Sequence, residues 1–88
     1  MNREILITII ENEIKFEREP EVNLMRAVIK QAFIDLLIIS DKPKYKKLKE
    51  NAREWFEEES SEFDLVCSLA FLKQSRIKML YALVCSIQ

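Results

Sequence analysis

The sequence predicts an all-α protein: a compact bundle of about five helices in one domain, 1–88, with a helix-turn-helix-like C-terminal half. Three observations carry this expectation. The 88 residues include no glycine and only two prolines, Pro20 and Pro43, whereas hairpins and tight β-turns lean on glycine for positive φ. Hydrophobic residues are 49% of the chain and charged ones 33%, the balance of a globular domain and not of a disordered one. Apolar residues recur at intervals of three and four along most of its length, which is the period of a helix face.

Residues 3–16 are open to two readings. ILITII is β-branched and IKFE alternates, which fits a hairpin turning near Asn12. Leu6, Ile9, Ile10 and Ile14 fit helical spacing behind an N-cap at Asn2, and a lone hairpin is marginal with no third strand to join, so helix is the expectation. Glu19-Pro20-Glu21 opens a second helix, with proline where its missing N–H costs little and acids near the positive dipole end. Met25, Val28, Ile29, Ala32, Phe33, Leu36 and Ile39 supply its stripe, and Leu24, Leu37 and Ile38 widen it almost all round. So apolar a helix is central or lies in an oligomer interface, and a homodimer is expected. Ser40-Asp41-Lys42-Pro43 ends it.

The third helix, about 43–58, places Tyr45, Leu48, Ala52, Trp55 and Phe56 on one face. Ser61-Glu62-Phe63-Asp64 then fits a capping box, S-x-x-[DE], so a fourth helix is expected over about 62–71, burying Phe63, Val66, Cys67, Leu69 and Ala70. A short link at Leu72-Lys73-Gln74 leads to Ser75 as a second N-cap. The fifth helix, about 76–86, packs Ile77, Leu80, Tyr81 and Val84. Two short helices joined by so tight a turn have helix-turn-helix proportions.

A net charge of −1 hides segregation: residues 42–53 hold six bases and one acid, residues 54–64 six acids and no base. At 100° per residue Lys42, Lys46, Lys49 and Arg53 form one stripe, which suits contact with DNA phosphates. Beside it, Lys46–Glu50 and Arg53–Glu57 are positioned for i,i+4 ion pairs worth a few tenths of a kcal/mol each. Lys73, Gln74, Ser75, Arg76 and Lys78 cluster where a groove-reading helix would begin. The outward face of that helix (Ser75, Lys78, Met79, Ala82, Ser86) is small and weakly polar, without the Arg, Asn or Gln set that makes bidentate base contacts.

The segment AREWFEEESSEFDLVCSLAFL resembles a pattern in small phage- and mobile-element-type proteins: A-x-x-W and a large apolar residue, a polar corner, F-x-x-V-C, then a leucine-containing turn and a closing helix. Ala52, Trp55, Phe56, Phe63, Val66, Cys67 and Leu69 match it, and Leu24–Leu37 is similar to the apolar helix before it. The likeness covers about two-thirds of the chain, mostly at core positions, and implies DNA binding or transcriptional regulation. Where the pattern has Leu-Gly this chain has Leu69-Ala70, which removes the residue a sharp turn would use.

Other chemistries lack their parts. With no histidine, no G-x-S-x-G, no cysteine beside a base and no glycine-rich phosphate loop, no catalytic residue and no cofactor is expected. Cys67 and Cys85 fall in apolar helical patterns and read as core thiols in a reducing cytoplasm, and no metal ligand set is expected. Glu57, Glu58, Glu59 and Glu62 lack the ligand spacing of a calcium loop and read as a solvated run. Trp55 reads as packing before it reads as a base-stacking platform. ILITII is too short for an export signal or a membrane span. Two functions remain: DNA binding through the basic stripe, set against an acidic pI of about 5.5, and a protein-interaction module, such as a phage-type inhibitor or adaptor, acting through the acidic 54–64 face or an apolar helix.

Overall fold

A computed structural model describes residues 3–58 and 61–87, with Ser61 described for its backbone only. Within them the chain forms five helices and no strand: α1 Arg3–Glu13, α2 Pro20–Leu36, α3 Pro43–Glu57, α4 Ser61–Leu69 and α5 Gln74–Ile87. Residues 3–13 are therefore helix, not hairpin. The Asn2 cap, the Ser61 side chain of the capping box and Glu59 of the acidic run lie outside the described residues.

Helix α2 is the hub, packing against α1, α3 and α4. Pro20 and Pro43 sit in the first turns of α2 and α3, behind extended residues Glu19 and Lys42, where proline fixes φ and sacrifices no intrahelical bond. Phe33, Phe56, Phe63, Ile10, Ile29, Leu36, Ile77, Val84 and Cys67 fill the centre. Phe33 and Phe56 rings lie 4.6 Å apart, and Phe56 stacks on Tyr81 at 4.8 Å. Trp55 meets Phe63 edge-on at 5.0 Å and is half-buried, as expected of a packing residue. Burying each phenylalanine stabilises the fold by roughly 2–3 kcal/mol.

The apolar stripe of α2 is rotated from the expected one. Val22, Ile29, Phe33 and Leu36 are buried, whereas Val28 and Leu24 (62% exposed) face outward. The helix ends at Leu36, where the Leu37 N–H donates to the Ile34 carbonyl at 3.0 Å, a tightened last turn that throws Ile39 (80% exposed) off the helical register. Leu48 of α3 and Leu69 of α4, expected inside, are also exposed.

One charged side chain lies on the buried stripe of α2. Arg26 is 6% exposed; its Nε donates to the Ala70 carbonyl at 2.9 Å, a second nitrogen donates to the Lys15 carbonyl, and a third lies 3.4 Å from Glu17 Oε1. Arg26 thereby ties the α1–α2 connection to the end of α4. Asn23 completes that connection, accepting from the Glu17 N–H at 2.7 Å and donating to the Glu17 carbonyl at 2.6 Å. Side chains do here what a glycine turn does elsewhere.

The α4–α5 turn is sharp despite the missing glycine. Leu72 N–H donates to the Cys67 carbonyl at 3.0 Å and Phe71 N–H to the Ser68 carbonyl at 3.1 Å, the two bonds of a Schellman motif. The left-handed position this motif requires is Phe71, at φ 54°, not Leu69 or Ala70. That conformation costs a side chain with a Cβ about 1–2 kcal/mol.

Candidate nucleic-acid interface

The helical period of α3 delivers the expected stripe. Lys42, Lys46 and Arg53 are exposed and Lys49 is half-buried. Lys46, Lys49 and Arg53 line one open depression of about 410 Å³ against Ile38, Ile39, Ser40 and Asp41 of the α2–α3 connection, with Glu50 on its wall. Lys42 sits at the N-cap of α3, its N–H donating to Ser40 Oγ at 3.3 Å. The expected pairs Lys46–Glu50 and Arg53–Glu57 do not form; Glu57 instead accepts a 2.6 Å hydrogen bond from the Tyr81 hydroxyl. Among the described residues the ion pairs are Arg26–Glu17, Lys30–Glu11 and Arg76–Glu13, so all four stripe residues keep their charge for solvent.

The second expected cluster does not assemble. Lys73 is exposed, but it and not Ser75 stands at the cap position before α5: the Lys73 carbonyl accepts from Arg76 and Ile77 at 3.1 and 3.2 Å, which puts Ser75 inside the first turn. Gln74 is half-buried. Arg76 is bound to Glu13 Oε1 of α1 at 2.8 Å, a bond that raises its pKa. Lys78 is half-buried, its Nζ 5.9 Å above the Phe63 ring. The outward face of α5 is apolar, led by Met79 and Leu83, which with Ile9, Glu13 and Arg76 border an α1–α5 groove.

An apolar groove of about 510 Å³ also runs between α2 and α3, bordered by Leu24, Ala27, Val28, Ala32, Leu48 and Trp55. The acids Glu54, Glu57, Glu58, Glu62 and Asp64 are exposed around the α3–α4 corner. The titratable groups that depart most from ordinary values are Cys67, which is buried, and Tyr81, which is half-buried against the core. Burial, helped by Asp64, pushes the Cys67 thiol up to about 11. Burial, then the bond to Glu57 and the neighbouring Cys85, raises Tyr81. Among the described residues no group of three or more Cys, Asp or Glu forms a metal site, and no helix is long and apolar enough to cross a membrane.

Reading the sequence alone missed Arg26 and Phe71. Arg26 was visible as the one charge in the series 22, 26, 29, 33, 36. Phe71 carried no signal, because a left-handed residue without glycine looks like any other. Comparison with known proteins finds no matching family model, no matching curated protein and no matching solved structure.

Proposed function

We propose that this chain binds duplex DNA through its phosphates, using the α3 stripe of Lys42, Lys46, Lys49 and Arg53, in the manner of a small DNA-binding or transcription-regulatory protein. The observation that carries the reading is a contrast in pairing. The cations Arg26, Lys30 and Arg76 have carboxylates within 4 Å, while the four of the stripe, like Lys44 and Lys47 of the same helix, have none among the described residues, and three of the four border one depression. Unpaired cations in a row at helical spacing suit a phosphate backbone, where each neutralised phosphate releases counterions. The likeness to phage- and mobile-element-type proteins supports the same reading. Lys73 lies outside this depression and adds no contact, and Gln74, Ser75, Arg76 and Lys78 do not read bases, since Arg76 is bound to Glu13 and the face beside it is apolar. Binding is therefore weakly sequence-selective.

The experiment is fluorescence anisotropy of a generic labelled duplex with wild type, Lys46→Glu/Lys49→Glu/Arg53→Glu, and Lys73→Glu. Loss of binding in the α3 variant, with weakening of only a few-fold in Lys73→Glu, is the expected result. Wild-type protein that leaves the duplex free at low salt ends the DNA reading. The exposure of Leu24, Val28 and Leu48 along the α2–α3 groove favours a second reading, a protein-interaction module acting as inhibitor or adaptor. A partner protein that protects this groove while the α3 reversal leaves its affinity unchanged would establish it.

A further inference from the structure

The outer face of α4 is uncovered. Glu62, Asp64, Leu65, Ser68 and Leu69 are all exposed, Leu65 by 58% and Leu69 by 50%. The chain then runs into Phe71, 74% exposed, and the exposed Lys73. Phe71 is unusual twice over: its backbone sits at a φ that favours glycine, and its large ring points to water. Within one chain the ring gains no burial to offset that strain, and such strain persists where the surroundings or a function require it. Arg26 supplies the surroundings, holding the Ala70 carbonyl immediately before it at 2.9 Å.

We infer that a second copy of this chain covers this surface, with the two α4 helices antiparallel about a two-fold axis near Ser68. The polarity of the face identifies the occupant. Glu62 and Asp64 lie in the first turn of α4, Leu65 in its middle and Leu69 at its last residue, with Phe71 and Lys73 in the turn beyond. A two-fold axis at Ser68, near the end of α4, brings the acidic first turn of each copy towards the turn of the other, which carries Phe71 and Lys73. One patch therefore complements itself in charge and in apolar surface, which is the requirement for an isologous contact. No acid follows Asp64 in the sequence, and Lys73 has no carboxylate within 4 Å among the described residues, so a partner's Glu62 and Asp64 meet an unanswered charge. DNA suits this face poorly, because two carboxylates and three large apolar side chains oppose a phosphate backbone. The inference does not depend on DNA binding by α3.

Light scattering of the full chain across the micromolar range tests it, with circular dichroism to verify folding. Wild type is expected to approach the mass of two chains as concentration rises. Phe71→Gly should keep its helicity, unfold at a higher temperature when dilute, and yet dissociate about tenfold more readily. Leu65→Glu/Leu69→Glu should give one chain throughout. Lys73→Glu and Glu62→Lys/Asp64→Lys should each weaken the dimer, and the three changes in one chain should restore it. A wild-type mass of one chain at every concentration would overturn the inference. So would a dimer indifferent to Leu65, Leu69 and Phe71, which would move the contact to the α2–α3 groove.

Discussion

Two clusters of positive charge, one along α3 and one at the start of α5, meet opposite fates. On α3, Lys46, Lys49 and Arg53 look into a shared depression without an ion pair among the described residues. On α5, Arg76 is bound to Glu13 and Lys78 lies against Phe63, so these charges are answered within the chain and not held out for a ligand. Similar residues thus do different work. A cation four residues from the next along a helix has only solvent or a ligand to meet, whereas one beside a helix–helix seam is drawn into it. The α4–α5 corner is held by a buried arginine from α2 against the strain of Phe71; the stripe rests on helical period alone. Charge reversal on α3 should therefore cost ligand affinity, and removal of Arg26 from the corner should cost stability.

Breaking the corner gives the largest effect. Arg26→Ala leaves the Ala70 and Lys15 carbonyls without their donor and is expected to cost about 3 kcal/mol in urea unfolding, whereas the α3 reversal should stay within about 0.5 kcal/mol of wild type. A value below about 1 kcal/mol for Arg26→Ala would mean that water replaces it and the corner is not pinned.

A second, smaller effect comes from pH. The Cys67 thiol sits on the buried side of α4, and its folded pKa of about 11 lies above the ordinary 9.0. The stabilisation from keeping it protonated is complete below pH 9 and is lost as pH climbs through about 11, a change of roughly 3 kcal/mol at most. Tyr81, raised by burial and by Glu57, acts in the same direction. Unfolding midpoints of wild type and Cys67→Ala measured upward from pH 9 should converge; parallel curves would show that the thiol titrates as if in water.

Phe71→Gly should stabilise the single chain by about 1 kcal/mol, since glycine adopts the left-handed conformation freely. A loss of stability would mean that the ring packs more than its exposure indicates. The smallest change belongs to Arg76→Gln. Its pair with Glu13 lies in solvent, so the unfolding midpoint should hardly move, and a large fall would make that pair a structural tie between α1 and α5.

The helical architecture was legible because it follows from local rules. Pro20 and Pro43 mark helix starts, and Ile29, Phe33 and Leu36 or Ala52 and Phe56 mark the inward faces. The exact face of α2 was not legible. Leu24, Val28 and Ile39 are as hydrophobic as the residues that were buried, and only the neighbours of α2 decide which stripe is covered. The Lys42–Arg53 stripe could be placed from sequence because it lies within one helix. The dispersal of Lys73, Gln74, Ser75, Arg76 and Lys78 could not, since it depends on Glu13 and Phe63, 63 and 15 positions from Arg76 and Lys78. The left-handed Phe71 is enforced by the bonds at Cys67 and Ser68 and by Arg26 from another helix, which no reading of the turn's own residues contains.

The most direct test of the α3 stripe is the salt dependence of its affinity for a generic DNA duplex, measured between about 50 and about 200 mM salt. Four phosphate contacts predict a slope of roughly −3.6 in log affinity against log salt, a fall of about a hundredfold over that range. A slope near zero, or no binding at the lower salt, would contradict the account and leave the apolar groove of α2 and α3 as the working surface of the protein.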